Sequence, residues 1–329
     1  MKALIKELVE AFGPSGYEEQ VAELIRAKAQ AVADDIRTDN LGNLIVLKKG
    51  TGGGKRVMIS AHMDEIGLIV SYIDKKGFAR FNPVGGLPIS TMTGARVRFA
   101  NGTVGVIYNE KDGWAGPGSL ADCYIDTGAT CPEDSPVQIG DVACINRPME
   151  ELGPRLTSKA MDDRIGCAVA LQALLELPAS PNDVYFVFSV QEEVGCRGAM
   201  VAAFGIEPDV AVAVDVTSWG DTPQAKPMAI ELGKGPAIKV KDGGMLAHSG
   251  VKRWMVASAE AAGVPYQLEV LIGGTTDAYT IQTARAGVPT GCLSVPTRYV
   301  HSPSEVVDYN DVLNATRLMV QMLANPISW

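Results

Sequence analysis

The chain has 329 residues, of which 47% are hydrophobic and 20% are charged, and its formal net charge is −9. A length of this order suits two domains, or one large domain with an insertion. Acidic side chains outnumber basic ones by 38 to 29, and no lysine and arginine block occurs. This balance argues against a nucleic-acid partner. No apolar run could span a bilayer, so we expect no membrane partner either.

The six cysteines are scattered and include no C-x-x-C pair. This spacing indicates neither a zinc knuckle nor a disulfide framework. The N-terminal segment Met1–Glu7 carries charge within its apolar pattern and has no secretory cleavage site. We therefore expect a cytoplasmic protein with reduced thiols.

Two helices and a strand are predicted near the N-terminus. The first helix covers residues 1–12, and the S-x-x-E spacing of Ser15 and Glu18 predicts a capping box for a second helix that runs to about Asp34. The apolar segment 56–60 then predicts a strand that delivers His62 and Asp64. Because these two residues lie two apart in extended chain, both side chains can project the same way.

The sequence pattern changes between Leu68 and about Leu156, where strand-like stretches alternate with Gly and Pro turns and Asn101-Gly102 signals a hairpin. Helix and strand patterns alternate again afterwards, which is typical of an α/β chain interrupted by an all-β insertion. The predicted domain bounds are residues 1–67 and 158–329 for the α/β part and residues 68–157 for the insertion.

The second half places more acidic groups at the ends of predicted elements. Asp162 begins an apolar helix, Glu192 and Glu193 follow the buried strand 184–188, and Asp215 ends the strand 209–214. A helix is predicted over residues 278–286, and His301 lies in the loop after the last strand. In an open α/β sheet, ligands bind beyond the carboxyl ends of the strands.

Seven side chains are thus expected to converge: His62, Asp64, Asp162, Glu192, Glu193, Asp215 and His301. Five carboxylates in one place would repel each other and lose hydration unless a cation joined them. Nitrogen and oxygen ligands suit Zn²⁺, Co²⁺ or Mn²⁺, and a bridging carboxylate suits a two-metal hydrolase. One glutamate of the Glu-Glu pair could bind metal while the other accepts a proton.

These motifs resemble the M42 family of metallo-aminopeptidases. The similarity rests on Ala61–Gly67, Met161–Gly166, Gln191–Gly195, Asp215–Thr217 and Pro296–Pro303, in this order along nearly the whole chain. The resemblance implies a three-layer α/β/α catalytic domain of the zinc-exopeptidase type, with an inserted PDZ-like β domain that mediates dimerisation. It also implies peptide substrates, and a homo-oligomer that is commonly a dodecamer built from dimers.

The resemblance further implies roles for individual residues in an aminopeptidase that removes N-terminal amino acids from peptides. His62 and Asp215 would hold one divalent cation and Glu193 and His301 the other, with Asp162 as the bridge. Zinc or cobalt would be the metal, with manganese as an alternative. Two residues complete the implied site: Glu192 as the general base, and Asp64 as the group that orients His62.

Several residues stay open at this level. His248 suits the surface or a subunit contact better than a metal, and Asp163 suits a helix cap or a group behind the ligands. Asp277 could cap the helix that it precedes or line the substrate pocket. Cys196 and Tyr279 stand where the resemblance leads us to expect an aliphatic and a smaller residue, so both could alter substrate preference.

Three other functions compete with an aminopeptidase. A glycosidase needs two carboxylates on either side of a sugar bond, and it would leave both histidines unexplained. A related dinuclear metal amidase or deacylase, acting on small N-acyl compounds, shares the same metal chemistry. A non-catalytic assembly module with a structural metal would leave Glu192 without a role.

Overall fold

The computed structural model describes residues 1–110 and 118–327. Seven α-helices occur among these residues: α1 Lys2–Glu10, α2 Glu19–Ala29, α3 Met161–Glu176, α4 Arg197–Ile206, α5 Ser249–Ala262, α6 Ala278–Ile281 and α7 Tyr309–Leu323. None of the helices in this described part has the length and apolar character needed to cross a membrane.

Seventeen strands are defined in the same residues. The strands before α3 are β1 Asp35–Thr38, β2 Leu44–Lys48, β3 Arg56–His62, β4 Gly67–Ile73, β5 Ala79–Val84, β6 Arg96–Phe99, β7 Val104–Asn109, β8 Cys123–Asp126, β9 Val142–Ile145, β10 Glu150–Leu152 and β11 Arg155–Ser158. The later ones are β12 Asp183–Ser189, β13 Val210–Thr217, β14 Ala237–Lys241, β15 Gln267–Val270, β16 Thr290–Arg298 and β17 Glu305–Asp308.

Eleven strands form one mixed sheet, in the order β1-β2-β12-β3-β13-β16-β17-β11-β10, with β14 beside β16 and β15 beside β14. Its centre is parallel: β12 pairs with β3, β3 with β13, and β13 with β16. These central strands are buried and rich in β-branched residues, as a sheet covered on both faces requires. Their carboxyl ends meet at one edge.

The six strands β4 to β9 form a closed barrel in the order β4-β5-β8-β7-β6-β9. Apolar side chains such as Leu68, Phe81, Val97 and Ile125 fill its interior. The barrel strands lie between Gly67 and Ile145, whereas β10 and β11 pair into the mixed sheet through β17. Closure leaves the barrel without free strand edges.

The helices pack on the sheet through two apolar clusters. The larger one joins α1, α2, α3, α5 and α7 to the sheet, and a smaller one joins α4 and α6 to Met58, Val187 and Ala211. Successive strand residues point to opposite faces of a sheet. Met58 therefore packs in the smaller cluster, whereas its neighbours Val57 and Ile59 pack in the larger one. The predicted mixed α/β class is confirmed, and the three-layer and PDZ-like details stay predictions.

Three local predictions need correction. The S-x-x-E capping box is wrong, because the side chains of Ser15 and Glu18 bind other partners and α2 has no side-chain cap. Helix α2 ends at Ala29 rather than near Asp34, since Asp35 already begins β1. Helix α6 spans only Ala278–Ile281, and the chain reaches a left-handed conformation at Arg285 (φ 50°).

Candidate metal centre and active site

The carboxyl ends of the parallel strands bring the predicted groups together. His62 is the last residue of β3, and Asp215 lies near the end of β13. Glu192 and Glu193 follow β12 after a turn in which Gln191 has φ 57°. The other two, Asp162 and His301, come from the start of α3 and from the loop after β16, so five separate parts of the chain build the site.

The first group of possible metal ligands consists of His62, Asp162 and Asp215. His62 Nε2 lies 3.0 Å from Asp162 Oδ1 and 4.0 Å from Asp215 Oδ1. All three residues are buried. Burial raises the pKa of Asp215 well above its usual range. A single imidazole beside two carboxylates leaves a net negative charge that a divalent cation would balance.

The second group shares Asp162 and adds Glu193 and His301. His301 Nε2 lies 3.1 Å from Glu193 Oε1 and 3.3 Å from Asp162 Oδ2. Burial opposes the charge on His301, but hydrogen bonds to Asp162 and Glu193 raise its pKa to about 12. The two groups use different oxygens of Asp162, which is the arrangement that a bridging carboxylate needs.

One buried atom indicates that this donor set fits cations. Glu193 Oε1 is buried and, apart from His301 Nε2 at 3.1 Å, has no hydrogen-bond partner among the described residues. A buried carboxylate oxygen whose one close neighbour is an imidazole nitrogen can share a cation with that nitrogen, since both are common metal ligands. Both groups contain only imidazole and carboxylate donors, which suit Zn²⁺, Co²⁺ or Mn²⁺.

The orientation of the His62 ring is set by its neighbour Asp64. His62 Nδ1 lies 3.0 Å from the carbonyl oxygen of Asp64 and 3.4 Å from its carboxylate Oδ1. A proton on Nδ1 would satisfy both contacts and leave the Nε2 lone pair facing Asp162 and Asp215. Asp64, which was predicted to orient His62, therefore lies beside its ring, although the closest contact is made by the main-chain carbonyl of Asp64 and not by its carboxylate.

The Asp64 carboxylate also fixes the Glu-Glu turn. Its two oxygens accept hydrogen bonds from the backbone N–H groups of Glu192 and Glu193, at 2.9 and 3.1 Å, and Oδ2 accepts a third from the Ser15 hydroxyl at 2.6 Å. The buried Asp64 thereby holds the backbone of both glutamates, so that their side chains diverge into different parts of the site.

Glu192 does not belong to either of these two ligand groups. Its Oε2 lies 4.0 Å from His62 Nε2, and its Oε1 accepts a hydrogen bond from Cys196 Sγ at 3.2 Å. Burial raises the pKa of Glu192 well above its ordinary value, and the negative charges of Asp215 and Glu193 add to this effect. It lines a cavity of about 360 Å³ together with members of both groups.

Glu305 is a contributor that the sequence did not indicate. This buried residue begins β17 and accepts hydrogen bonds from the backbone N–H groups of Asp162, at 3.0 Å, and His301, at 2.7 Å. It therefore ties together the two chain segments that supply the shared carboxylate and the second imidazole. The spacing of four residues from His301 was its only sequence signal.

Ser15 and Glu18 also support the site from a distance. Ser15 donates to Asp64, and Glu18 accepts from the backbone N–H groups of Gly16 and Gln191 at 2.7 and 3.1 Å. Burial raises the pKa of Glu18 to about 7. The chain between α1 and α2 is thereby attached to the turn that carries Glu192.

The residues left open now have defined positions. Asp163 accepts hydrogen bonds from the backbone N–H groups of His62 and Gly166, as expected for a cap behind the ligands. His248 is exposed and caps α5 through Gly250. Asp277 precedes α6 but makes no side-chain cap there; instead it accepts bonds from Ser60 and Ser189. Tyr279 is 47% exposed.

Known proteins share this architecture over nearly their whole length. A putative aminopeptidase of Acetivibrio thermocellus is 47% identical, over 97% of this chain and 97% of the relative. The structure of an aminopeptidase from Desulfurococcus kamchatkensis superposes with a TM-score of 0.94 at 42% identity, covering 98% of this chain and 94% of that one.

A third comparison concerns a protein that forms large assemblies. The TET1 peptidase of Pyrococcus horikoshii, described as able to assemble into a tetrahedron or a large octahedral shell, is 32% identical with a TM-score of 0.86, covering 98% of each chain. The sequence model of the M42 glutamyl aminopeptidase family matches residues 42–318. This protein therefore belongs to the M42 family of peptidases and is an aminopeptidase.

Proposed function

We propose that the chain is a dinuclear metal-dependent aminopeptidase in which Glu193 and His301 hold one divalent cation, His62 and Asp215 hold the other, and Asp162 bridges them. M42 peptidases are metal-dependent. The observation that carries the proposal is the sharing of Asp162 between two groups of possible ligands, one oxygen lying near each imidazole. Zinc or cobalt suits these donors, and manganese is the alternative.

Glu192 is assigned as the general base and acid. When bound, the cations would acidify a water molecule and polarise the carbonyl of the first peptide bond. The Glu192 carboxylate faces the same cavity, is absent from both ligand groups and can accept a proton there. It would then return that proton to the amine that leaves. Its raised pKa suits a group that must hold a proton between the two events.

Asp64 is proposed as a positioning residue. It contacts the His62 ring through its carbonyl and fixes the Glu192 and Glu193 backbone through its carboxylate. One buried side chain thus aligns a ligand of one cation, a ligand of the other and the proton acceptor. Preorganisation of this kind is what catalysis on a metal centre requires of the surrounding protein.

The Glu192→Gln variant tests the assignment. Amino-acid p-nitroanilides are the substrates, and the metal content of each purified protein is measured by mass spectrometry. We expect the variant to keep two ions per subunit while kcat falls by about 10²–10⁴-fold, because general acid–base catalysis contributes this much. The exposed Glu133→Gln serves as the matched control. Wild-type kcat in Glu192→Gln would refute its role as the base.

We further propose a homo-oligomer, in the form of a dodecamer built from dimers, with the inserted segment 68–157 as the dimerisation domain. Exposed apolar residues support an interface on the barrel, where Val104, Val106 and Tyr108 occupy the outer face of β7. Leu268, Val270 and Ile272 form a second exposed group at β15. Contiguous exposed apolar side chains mark association surfaces.

The proposed substrates are peptides with a free N-terminus, and the proposed compartment is the cytoplasm. All six cysteines are free thiols, five of them buried. Reduced cysteines of this kind are typical of a reducing compartment.

A further inference from the structure

A third group of possible metal ligands lies beside the two already described. It consists of Glu192, Cys196 and Asp277, with one donor atom from each within 4.8 Å of the others. Neither proposed cation uses Cys196 or Asp277. The group differs in chemistry from the other two, since it replaces imidazole with a thiol.

Cys196 brings a sulfur atom into the active-site cavity. It precedes α4 with a left-handed backbone (φ 52°), and this turn directs Sγ towards Glu192 Oε1, 3.2 Å away. The residue is buried, yet it lines the same cavity of about 360 Å³ as His62 and Glu192. A small ion that enters the cavity can therefore reach the sulfur.

Asp277 supplies an independent indication of a ligand. The residue is 2% exposed, and its Oδ2 accepts hydrogen bonds from the hydroxyl groups of Ser60, at 2.7 Å, and Ser189, at 2.5 Å. Its other oxygen, Oδ1, is buried without a hydrogen-bond partner among the described residues. Two hydroxyl groups thus hold the carboxylate in place while one oxygen stays open to a cation.

We propose that Glu192, Cys196 and Asp277 form a third, inhibitory site for a thiophilic divalent cation, such as Cd²⁺ or excess Zn²⁺. Soft cations prefer thiolate, whereas the other two groups offer only nitrogen and oxygen. On binding, the Cys196 S–H bond breaks, a sulfur–metal bond forms and the proton leaves to solvent. The cation also coordinates the Glu192 carboxylate, which can then no longer accept a proton as the general base. The inhibition, but not the binding, rests on the proposed role of Glu192.

The test titrates Cd²⁺ into holoenzyme that holds two Zn²⁺ per subunit and from which excess zinc has been removed. Three quantities are measured: bound cadmium and zinc per subunit, the ultraviolet charge-transfer band of a cadmium thiolate, and hydrolysis of an amino-acid p-nitroanilide. We expect one cadmium ion to bind without release of zinc, the thiolate band to grow in parallel, and activity to fall with the same midpoint. Loss of zinc in step with cadmium uptake would overturn the proposal.

Two serine variants locate the sulfur. In Cys196→Ser the hydroxyl can still donate to Glu192 but cannot supply a thiolate. We expect the band to vanish and the half-inhibitory Cd²⁺ concentration to rise by at least about tenfold, since loss of even an outer partner costs roughly 10–100-fold in metal affinity. The control is Cys131→Ser, which removes a more accessible thiol from the barrel region and should change neither quantity. Equal loss in both variants would refute the site.

The Glu192→Gln variant separates the two proposals. If the wild type binds one additional cadmium ion with the thiolate band while the kcat of Glu192→Gln equals that of the wild type, the third site stands and the base has been misassigned. If the wild type binds no additional cadmium while Glu192→Gln is inactive, the base assignment stands and the third site does not exist.

Discussion

The carboxylate of Glu305 shows how the site depends on a residue outside the groups of possible metal ligands. Each of its oxygens accepts one backbone N–H, from Asp162 and from His301. Two segments that are far apart in sequence are thereby joined by one buried side chain. Since Asp162 is shared by both groups of ligands, an error in its position would affect both proposed cations.

The Glu305→Gln variant should weaken metal binding. Glutamine offers one oxygen and one NH₂ group, so one of the two backbone N–H groups would meet a donor instead of an acceptor. We expect metal affinity to fall by roughly 10–100-fold, the usual cost of removing a partner behind a ligand. Competition with a chelating dye measures the affinity.

The exposed Glu151→Gln variant is the control for this experiment, because its carboxylate contacts Lys2 on the surface. Unchanged chelator resistance in Glu305→Gln would show that the ligands hold their positions without it. A fall in thermal stability with unchanged metal affinity would count against the positioning role as well.

At this scale the sequence predicted which side chains converge better than it predicted the residues that support them. His62, Asp215 and the Glu192-Glu193 pair were predictable because each follows a strongly apolar strand, and parallel strands end at one edge. Glu305 belongs to the four-residue strand β17, which lies between the predicted loop and the predicted last helix and is too short to give a clear periodicity. Its partners are 143 and 4 residues away, and only the folded chain reveals the longer contact.

Helix α3 is anchored by a fully buried arginine at its start. Arg164 donates hydrogen bonds to the backbone carbonyl groups of Leu8, Ala11, Gly13 and Met63. These acceptors belong to the end of α1, the segment after it, and the segment after β3. The arginine therefore connects three elements immediately behind the site.

Replacement of Arg164 by methionine should destabilise the protein by at least about 3 kcal/mol. The methionine side chain fills much of the volume but leaves several buried carbonyl groups without donors, each at roughly 1–3 kcal/mol. Glu65 keeps its ion pair with Lys159, at 2.6 Å, so an unpaired buried charge does not dominate the loss. Denaturant unfolding measures the difference, with the exposed Arg37→Met as control. A change below about 1 kcal/mol would contradict this role.

Helix α7 is attached to the segment before β14 through Asp311. This buried carboxylate accepts hydrogen bonds from the backbone N–H groups of Gly233 and Gly235, both at 2.7 Å. Burial raises its pKa from 3.8 to about 6. Between these values the folded state holds a proton that the unfolded state has released. This group therefore lowers the stability of the folded state as pH rises through that window.

The Asp311→Asn variant should lack this pH dependence. From about pH 4 to about pH 7 we expect the wild type to lose about 2–3 kcal/mol relative to the variant, since each pKa unit corresponds to about 1.4 kcal/mol. The variant has a constant cost from its altered hydrogen bonds, so the slope of the difference is the readout. Asp35→Asn removes the same charge from an exposed strand as control. A difference that is flat with pH would disprove the effect.

The predicted elements differ in how well they match the structure, and the reason differs from one element to the next. The buried strands of the parallel centre were predictable because long apolar runs leave few alternatives. The S-x-x-E spacing of Ser15 and Glu18 failed as a capping signal because Asp64 and Gln191, distant in sequence, compete for the same side chains. Helix α6 was predicted too long, since helical pattern alone does not show where the backbone turns at Arg285.

For the whole molecule, the outer surface of the barrel carries an apolar row on β7. Strand β7 alternates buried and exposed residues, as a barrel wall must, but its three exposed positions are Val104, Val106 and Tyr108. Water-facing strand positions are usually polar. A row of exposed apolar side chains on the outside of a closed barrel is typical of a surface that binds another protein.

The Val106→Glu variant tests whether this row joins copies of the chain. A charge at the centre of an apolar interface loses hydration without gaining a partner, so we expect the particle mass from light scattering to fall towards that of a smaller assembly. Lys75→Gln is the matched control, because it also lowers the net charge by one on an exposed barrel residue. Zinc content per subunit, measured on the same fractions, shows whether the site survives dissociation. An unchanged mass for Val106→Glu would exclude β7 from the interface and leave the exposed group at β15 as the other proposed surface.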